Sequence, residues 1–282
     1  MLNTSQQELS IPDLFKGDLQ LTAPPNVYLE LQKITSNPTK SLADAAFIIE
    51  KDAALAIRLL KIVNSAFYGF PSKISSIDRA INLIGIKELQ NIILSTTAID
   101  KFSNLPGELI SMHDFWAQNI RCALIAQKID HHLNKEFSDA IFICGILHNI
   151  GQLVFFSRIP ELARETSLRL QTLDHPTDLG EIQCEIDVIG FDHFQTGAAL
   201  CNLWKLPELI TESIRLHAYP DNTGPYHKLA SIIRLANTCS TIDSNCCDDA
   251  INNLGISAFE ISTIIESTHE EFEDIFKVFY HA

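Results

Sequence analysis

The sequence predicts an all-α protein, arranged as a two-lobe helical array. Apolar residues recur at three- and four-residue steps along most of the chain, which is the spacing of one helix face. There is no convincing run of alternating β-branched residues and no two-residue hairpin signal. Serine or aspartate precedes several of the periodic segments, as a helix N-cap would.

In the first half of the chain, helices should begin after Ser41 and after Asp52. Ser41 is followed three residues later by an acidic residue, a variant of the capping box. The second of these helices carries Leu59 on a stripe that we expect to face the interior. Asp78 should cap the short helix RAINLI, and Gly85 should end it. A longer helix is then expected through IKELQNIILSTTAIDKF.

Asn104, Pro106 and Gly107 interrupt this periodicity and predict a boundary between the two lobes. The second lobe should open with a helix that starts at Ser111. Further helices are expected over residues 139–148, 160–173, 178–188, 192–204 and 207–217. The remaining helical segments are YHKLASIIRLANTCSTI, DDAINNLGI, SAFEISTIIEST and HEEFEDIFKVFYHA.

Composition and charge restrict the possible functions. The chain has 282 residues, 46% of them hydrophobic, and a net charge of −14 that would repel polyphosphate, so neither nucleic acid nor an acidic membrane is an expected partner. The N-terminus lacks the pattern of a secretory signal, and the longest apolar stretch, AIFICGIL, is too short to span a membrane. Seven scattered cysteines without a CxxC pair predict a reduced, cytoplasmic protein.

The segment GILHNIG at 145–151 is the most informative part of the sequence. An apolar helix there runs into His148, followed by a polar residue and then by Gly151, which we expect to permit a sharp turn. A His-Asp pair at such a point could bind a metal, but Asn149 stands where the carboxylate would be. On these residues alone, His148 is better explained as a polar residue at a helix end than as a ligand.

Together with its surroundings, this segment resembles the HD superfamily of metal-dependent phosphohydrolases, and in particular its HDOD branch. FICGILHNIGQLVFF is similar to the central motif of the superfamily. The first half is similar to the HDOD branch in Pro24-Pro25, in SLADAAFIIEKDAALAIRLLKIVNSAFYGF and in KISSIDRAINLIGIKEL. In the second half the similarity continues through Phe115-Trp116, FDHFQTGAALCNLWKLPELITESIRLH and LASIIRLANTCS.

This resemblance implies an N-terminal helical lobe packed on an HD-type helical lobe. We expect an N-terminal extension at 1–19 and an HDOD domain at 20–240, with its two lobes at about 20–104 and 108–240. Residues 241–282 should form a C-terminal helical extension that braces the second lobe.

Active HD hydrolases, especially the HD-GYP cyclic-dinucleotide phosphodiesterases, bind metals through seven His and Asp positions. Three of the matching positions in this sequence are imidazoles and none is a carboxylate. Two divalent ions need anionic ligands, so the resemblance implies that the dinuclear hydrolytic site is absent. The first of these positions matches Gln118 or, with a shift of one residue, Asn119. The seven matching residues are Gln118, His148, Asn149, His193, His217, Ala218 and Asn237.

We therefore expect no cofactor. A single divalent metal held by His148, His193 and His217 stays open as an alternative, since three imidazoles and a water suffice for one zinc ion. The other explanation is a vestigial, partly buried cleft in which these side chains are hydrogen-bonded. The nearby acids are better explained as solvated helix caps and faces than as supports of a metal: Asp192, Glu185 and Asp187.

The function that the resemblance implies is that of a non-catalytic signal-transduction or regulatory module acting through protein–protein contacts. The resemblance implies that such a module works beside receiver, kinase or cyclic-dinucleotide domains, and we recognise none of these in the sequence. The partners are therefore expected in trans: a kinase, a response regulator or a cyclic-dinucleotide enzyme. A homodimer is also compatible with the sequence. Two alternatives stay open. One is a metal-dependent phosphohydrolase acting on a nucleotide or cyclic dinucleotide, and the other is a ligand sensor that uses the vestigial cleft.

Overall fold

A computed structural model describes residues 9–103, 105, 110–173, 177–241 and 253–280, and these residues contain helices and no β-strand. The predicted all-α class is confirmed. The helices of the first half are α1 (Ile11–Phe15), α2 (Leu19–Thr22), α3 (Asn26–Thr35), α4 (Leu42–Glu50), α5 (Ala53–Val63), α6 (Ile77–Ile84) and α7 (Ile86–Phe102). Those of the second half are α8 (Met112–His132), α9 (Ile141–Leu147), α10 (Ile150–Arg158), α11 (Pro160–Leu170), α12 (Asp178–Ile189), α13 (His193–Leu203), α14 (Glu208–Leu216), α15 (His227–Ser240) and α16 (Ala258–Tyr280).

Most of the predicted helix starts hold. The Ser41 hydroxyl accepts from the backbone N–H of Asp44 at 3.2 Å, and the Asp44 carboxylate accepts in return from the backbone N–H of Ser41 at 2.8 Å. Asp52 caps α5 by accepting from the N–H of Leu55 at 3.0 Å. Ser111 caps α8 in the same way. These side chains satisfy backbone donors that the first turn of a helix leaves free.

The predicted cap at Asp78 is wrong. Helix α6 begins two residues earlier, where the Ser76 hydroxyl accepts from the N–H of Arg79 at 3.3 Å. Asp78 instead lies in the first turn, where a negative charge interacts favourably with the helix dipole. Gly85 ends the helix as predicted, with a φ of 86°.

The second half differs from expectation in two elements. Helix α10 was not predicted, because its apolar sequence follows directly on that of α9; the Asn149 side chain that precedes it makes no capping hydrogen bond. The last two predicted helices form one continuous helix, α16. Part of DDAINNLGI lies outside the described residues, as do Asn104, Pro106 and Gly107, at which we placed the lobe boundary.

One hydrophobic cluster extends from Leu14 to Phe279, so the helices of both halves share a core. Leu59 is fully buried within it, as expected. Helix α8 packs between α9 and α15, and α7 packs on α9. Helix α16 packs on α8 and also on α5 and α7, so it braces both halves rather than the second lobe alone. The Arg58 guanidinium strengthens this contact by donating to the Phe279 carbonyl and to Asp100 at 2.6 Å.

The most apolar part of the chain lies inside this core. By length and composition Ile141–Arg158 could cross a membrane, but 78% of it is buried in the protein. It also consists of two helices, α9 and α10, rather than one. Such burial is typical of the core helices of a folded domain.

Two glycines in this segment allow helices to approach closely. A Cβ on Gly145 would lie 2.4 Å from the Cα of Ala123 in α8. A Cβ on Gly151 would lie 1.8 Å from the His193 carbonyl oxygen at the start of α13. The predicted sharp turn at Gly151 is wrong: the residue lies within α10, and what requires a glycine is the absence of space for a side chain.

Replacement of Gly151 by alanine should therefore lower the free energy of unfolding by about 3 kcal/mol, because the added methyl group meets backbone that cannot move aside. Urea denaturation would measure this. Gly180→Ala is the matched control, since its Cβ would meet side-chain atoms alone, Leu173 Cδ1 at 3.1 Å and Thr177 Oγ1 at 3.5 Å. That variant should be neutral or up to about 1 kcal/mol more stable. Equal stability of the two variants would contradict the close approach of α10 and α13.

Candidate functional site

The candidate site is built around His148, whose fully buried side chain lies where α9 ends. Its Nδ1–H donates to the carbonyl of Gly145 at 2.7 Å, and its Nε2 lies 2.9 Å from the Asn237 side-chain oxygen. Burial lowers the pKa of His148, so the ring is neutral and Nε2 carries a lone pair. The Asn237 amide can satisfy this lone pair by turning its N–H₂ group toward it, provided that the Gln118 amide, which contacts the same Asn237 atom, turns with it.

Gln118 completes this part of the site. Its side-chain amide lies 3.2 Å from the Asn237 side-chain oxygen, so α8, α9 and α15 meet in one polar contact. Asn119, the alternative match, is directed elsewhere, because its amide donates to the backbone carbonyl of Ile146 at 3.1 Å. Of the two neighbours, Gln118 is the one that contacts the other matched positions.

His217 lies at the end of α14 and is also buried. Its Nδ1–H donates to the carbonyl of Ile214 at 2.8 Å, whereas its Nε2 has no hydrogen-bond partner among the described residues. The ring centroid is 5.4 Å from that of His148. Burial, reinforced by His148, holds the pKa of His217 well below its ordinary value, so this ring is neutral too.

His193 is the first residue of α13 and is in a different electrostatic environment. Its Nδ1 lies 2.8 and 2.9 Å from the two carboxylate oxygens of Glu185, and its backbone N–H donates to the same carboxylate at 2.8 Å. Burial alone would lower its pKa, but the negative charge of Glu185 outweighs this effect and raises the pKa of His193 to about 9. His193 is therefore a cation at neutral pH.

Phe194 connects the three imidazoles. Its ring lies against His193 with centroids 3.8 Å apart and meets His217 edge-on at 4.6 Å. Ala218 is buried in the same small cluster as Phe194. Asn149 is buried beside His148. The structure thus brings Gln118, His148, His217 and Asn237 into direct succession and joins His193 to them through an aromatic ring.

These residues do not fit the dinuclear metal centre that the HD superfamily implies. The Nε2 of His148 is satisfied by Asn237, and Ala218 offers no donor atom. In the part of the chain that the structure describes, the nitrogen atoms of His148, His193 and His217 do not form a group in which all lie within 4.8 Å of one another. A metal bound by all three would require these packed rings to move.

Two of the nearby acids differ from expectation. Asp187 is exposed, as predicted, but Asp192 and Glu185 are buried rather than solvated. Asp192 is a buried N-cap that accepts from the Gln195 N–H at 2.7 Å and from the Tyr219 hydroxyl at 2.6 Å. The sequence does contain a signal for Glu185, which lies on the same face of α12 as two buried isoleucines, three residues before it and four after it.

Glu181 lies one turn before Glu185 and takes part in the same arrangement. Its carboxylate accepts from the Gln152 amide at 2.8 Å, and burial raises its pKa to about 7. Within the described residues, Glu181, Glu185 and His193 are the group of His, Cys and acidic side chains whose donor atoms all lie within 4.8 Å of one another. Sequence reasoning missed this group.

Fold and site together define an all-α protein whose core encloses three histidines at the ends of separate helices. Residues 21–220 match the HDOD domain family, which is more than two thirds of the chain. The protein belongs to that family.

One curated relative matches over most of this chain. An uncharacterized protein of Treponema pallidum (strain Nichols) is 32% identical over 238 residues, which is 83% of this chain. The match covers 44% of that relative, so this chain spans less than half of its length.

Three solved structures share the fold. A protein of Shewanella amazonensis SB2B named as a candidate phosphohydrolase has a TM-score of 0.74 at 22% identity and covers 91% of this chain and 94% of its own. An HDOD domain protein of unknown function from Geobacter sulfurreducens has a TM-score of 0.68 at 22% identity, with 90% and 91% covered. A candidate signal transduction protein of Marinobacter aquaeolei VT8 has a TM-score of 0.69 at 18% identity, with 90% and 58% covered.

The neutral state of His217 predicts a pH dependence of stability. A buried imidazole with a lowered pKa stabilises the fold fully above its unfolded pKa of about 6.5, and this contribution is lost as the pH falls toward the folded value. When the pH falls from about 7.5 to about 5.5, the unfolding free energy of the natural protein should decrease by about 1.4 kcal/mol more than that of His217→Gln.

Urea denaturation at both pH values would measure this difference. His148, whose pKa is also lowered, and His193, whose pKa is raised, titrate in both proteins, so the comparison isolates His217. Parallel pH profiles for the two proteins would show that His217 is not held neutral by burial.

Proposed function

We propose that this protein is a non-catalytic regulatory module that acts through protein–protein contacts in bacterial signal transduction. One observation carries the proposal: the Nε2 of His148, which in the HD hydrolases would face a metal, is hydrogen-bonded to Asn237 inside a closed core. A side chain thus takes the place that a metal would need.

The chemistry of the remaining positions supports the same conclusion. Two divalent ions carry about four positive charges, and stable binding needs anionic ligands that also lower the pKa of bound water. Gln118, Asn149 and Asn237 supply neutral amides, and Ala218 supplies nothing. The ligand set therefore lacks the charge for a hydrolytic centre.

The burial of the three imidazoles supports the non-catalytic assignment independently. His148 and His193 are 0% exposed and His217 is 1% exposed. A phosphodiester substrate is a charged, strongly hydrated group, and transferring it into this closed region would be costly. The residues that would perform hydrolysis are therefore out of reach of a substrate in this conformation.

We assign the output to signalling proteins in the cytoplasm: a kinase, a response regulator or a cyclic-dinucleotide enzyme. The name of the Marinobacter aquaeolei protein with the same fold supports this class of function. For the contact we propose the outer side of α4 and α5, where Phe47 is 63% exposed and Ile57 is 57% exposed. Large apolar side chains in contact with water are common at protein interaction sites.

The non-catalytic assignment predicts no turnover of cyclic dinucleotides or nucleotide phosphates above background, even with added manganese. Asn149→Asp should raise metal affinity by adding an anionic ligand, yet restore no catalysis because the other positions are unchanged. Product release measured by chromatography would test both. Robust metal-dependent turnover by the natural protein, abolished in His148→Ala, would establish a phosphohydrolase instead.

The contact surface predicts a second result. In a two-hybrid screen against the kinases, response regulators and cyclic-dinucleotide enzymes of the same genome, at least one should pair with the full chain. Phe47→Asp should abolish that pairing because it places a charge in an apolar contact. Leu203→Asp, at a 42% exposed position on α13, is the matched control and should retain it. A pairing that survives Phe47→Asp, or a screen with no pair, would contradict the assignment.

A further inference from the structure

We propose that Glu181, Glu185 and His193 form a binding site for one divalent transition-metal ion, in which His193 matches one of the metal-binding positions of HD hydrolases and the two glutamates match none. The inference goes beyond the regulatory function proposed above and does not depend on it. It concerns the junction of α12 and α13, where the two acids and the imidazole meet.

The geometry suits a single ion. Glu181 and Glu185 are one turn apart on α12, so their side chains leave the helix on the same face. Gly190, with a φ of 98°, ends α12 in the left-handed conformation and turns the chain so that His193 faces that side. The three donor atoms lie within 4.8 Å of one another. Ligands at metal bond lengths of about 2.0–2.2 Å are only slightly closer together, so small rotations of the side chains would complete the site.

The surroundings provide room for the rest of a coordination shell. A cavity of about 270 Å³ lies between α10, α11 and α12, and both glutamates line it. The other polar residues that line it are Gln152, Thr166, Ser167 and Gln171. Three protein ligands with space for water describe an open metal site, in contrast to the closed surroundings of His148.

The charges favour a cation. The residues that line the cavity include no Lys or Arg. Glu181 has the Gln152 amide as its partner and Glu185 has His193, and the described part of the chain shows no ion pair of either acid with Lys or Arg. His193, which is a cation while it pairs with Glu185, must release its Nδ1 proton when the ion binds, because only a neutral imidazole can coordinate a metal. The divalent ion then takes the place of that proton and balances the charges of both carboxylates.

The donor set indicates the class of metal. Carboxylates alone would suit Mg²⁺ or Ca²⁺, whereas an imidazole directs preference to the first-row transition metals and zinc. His193 is fully buried and its Nδ1 is directed at the Glu185 carboxylate, so the nitrogen is already placed at the site rather than recruited from solvent. Zinc is the probe of choice because it accepts this mixed ligand set.

The test is isothermal titration of the chelator-stripped full chain with ZnCl₂. The natural protein should bind one zinc ion at this site, and Glu181→Gln should weaken that binding at least tenfold, by the loss of one anionic ligand. Asp187→Asn, which removes a charge from the exposed side of the same helix, is the matched control and should bind as the natural protein does. Failure of the natural protein to bind zinc would overturn the proposal, as would equal binding by Glu181→Gln.

Two further arms keep the result specific. If His148→Gln weakens binding while Glu181→Gln does not, the metal is held by the buried imidazoles, and the proposal is overturned. If Glu181→Gln does not fold, X-ray absorption of the zinc-loaded natural protein decides, because the proposed site contains one imidazole. One nitrogen ligand among oxygens would support it, whereas two or more imidazoles would refute it. Neither outcome bears on whether the protein hydrolyses phosphodiesters.

Discussion

Much of this molecule depends on the close approach of α10 and α13 at Gly151, where a single methyl group would collide with the His193 carbonyl oxygen. The contact fixes two parts of the chain at once. It holds the end of α9, with His148 and Asn149, against the start of α13. Because protein interiors are tightly packed, a small displacement at this contact is not absorbed locally and would move His148 and His193 relative to each other.

The same arrangement separates two electrostatic environments only one aromatic ring apart. On one side of Phe194, His217 and His148 are neutral and bonded to backbone carbonyls. On the other side, His193 is paired with Glu185. A buried charge is tolerated only with a partner, so Glu185 is what allows a cation at this depth. Acidic groups are therefore present in this region, on α12, although none of the seven matched positions carries a carboxylate.

Local signals in the sequence predicted much of the fold and only part of the site. Ser41 and Asp52 were recognisable as caps because a capping hydrogen bond spans only four consecutive residues. The three- and four-residue spacing of the apolar residues around Leu59 was sufficient to identify a buried helix face. Helix α10 escaped prediction because it is held by packing and has no capping side chain. The pairing of Glu185 with His193 could not be predicted from the sequence, because it depends on how α13 packs against α12 in the folded chain.

Helix α16 connects the two halves of the protein. It is 23 residues long, lies across α5, α7 and α8, and is tied to the first half by the Arg58 guanidinium. Among the described helices, α16 thus adds a second connection between the two halves, beside the core that they share. A partner that docks on α4 and α5 would meet helices that are held from both sides. Under the function proposed above, such a protein would act through occupancy, by recruiting or excluding other proteins, rather than through domain closure.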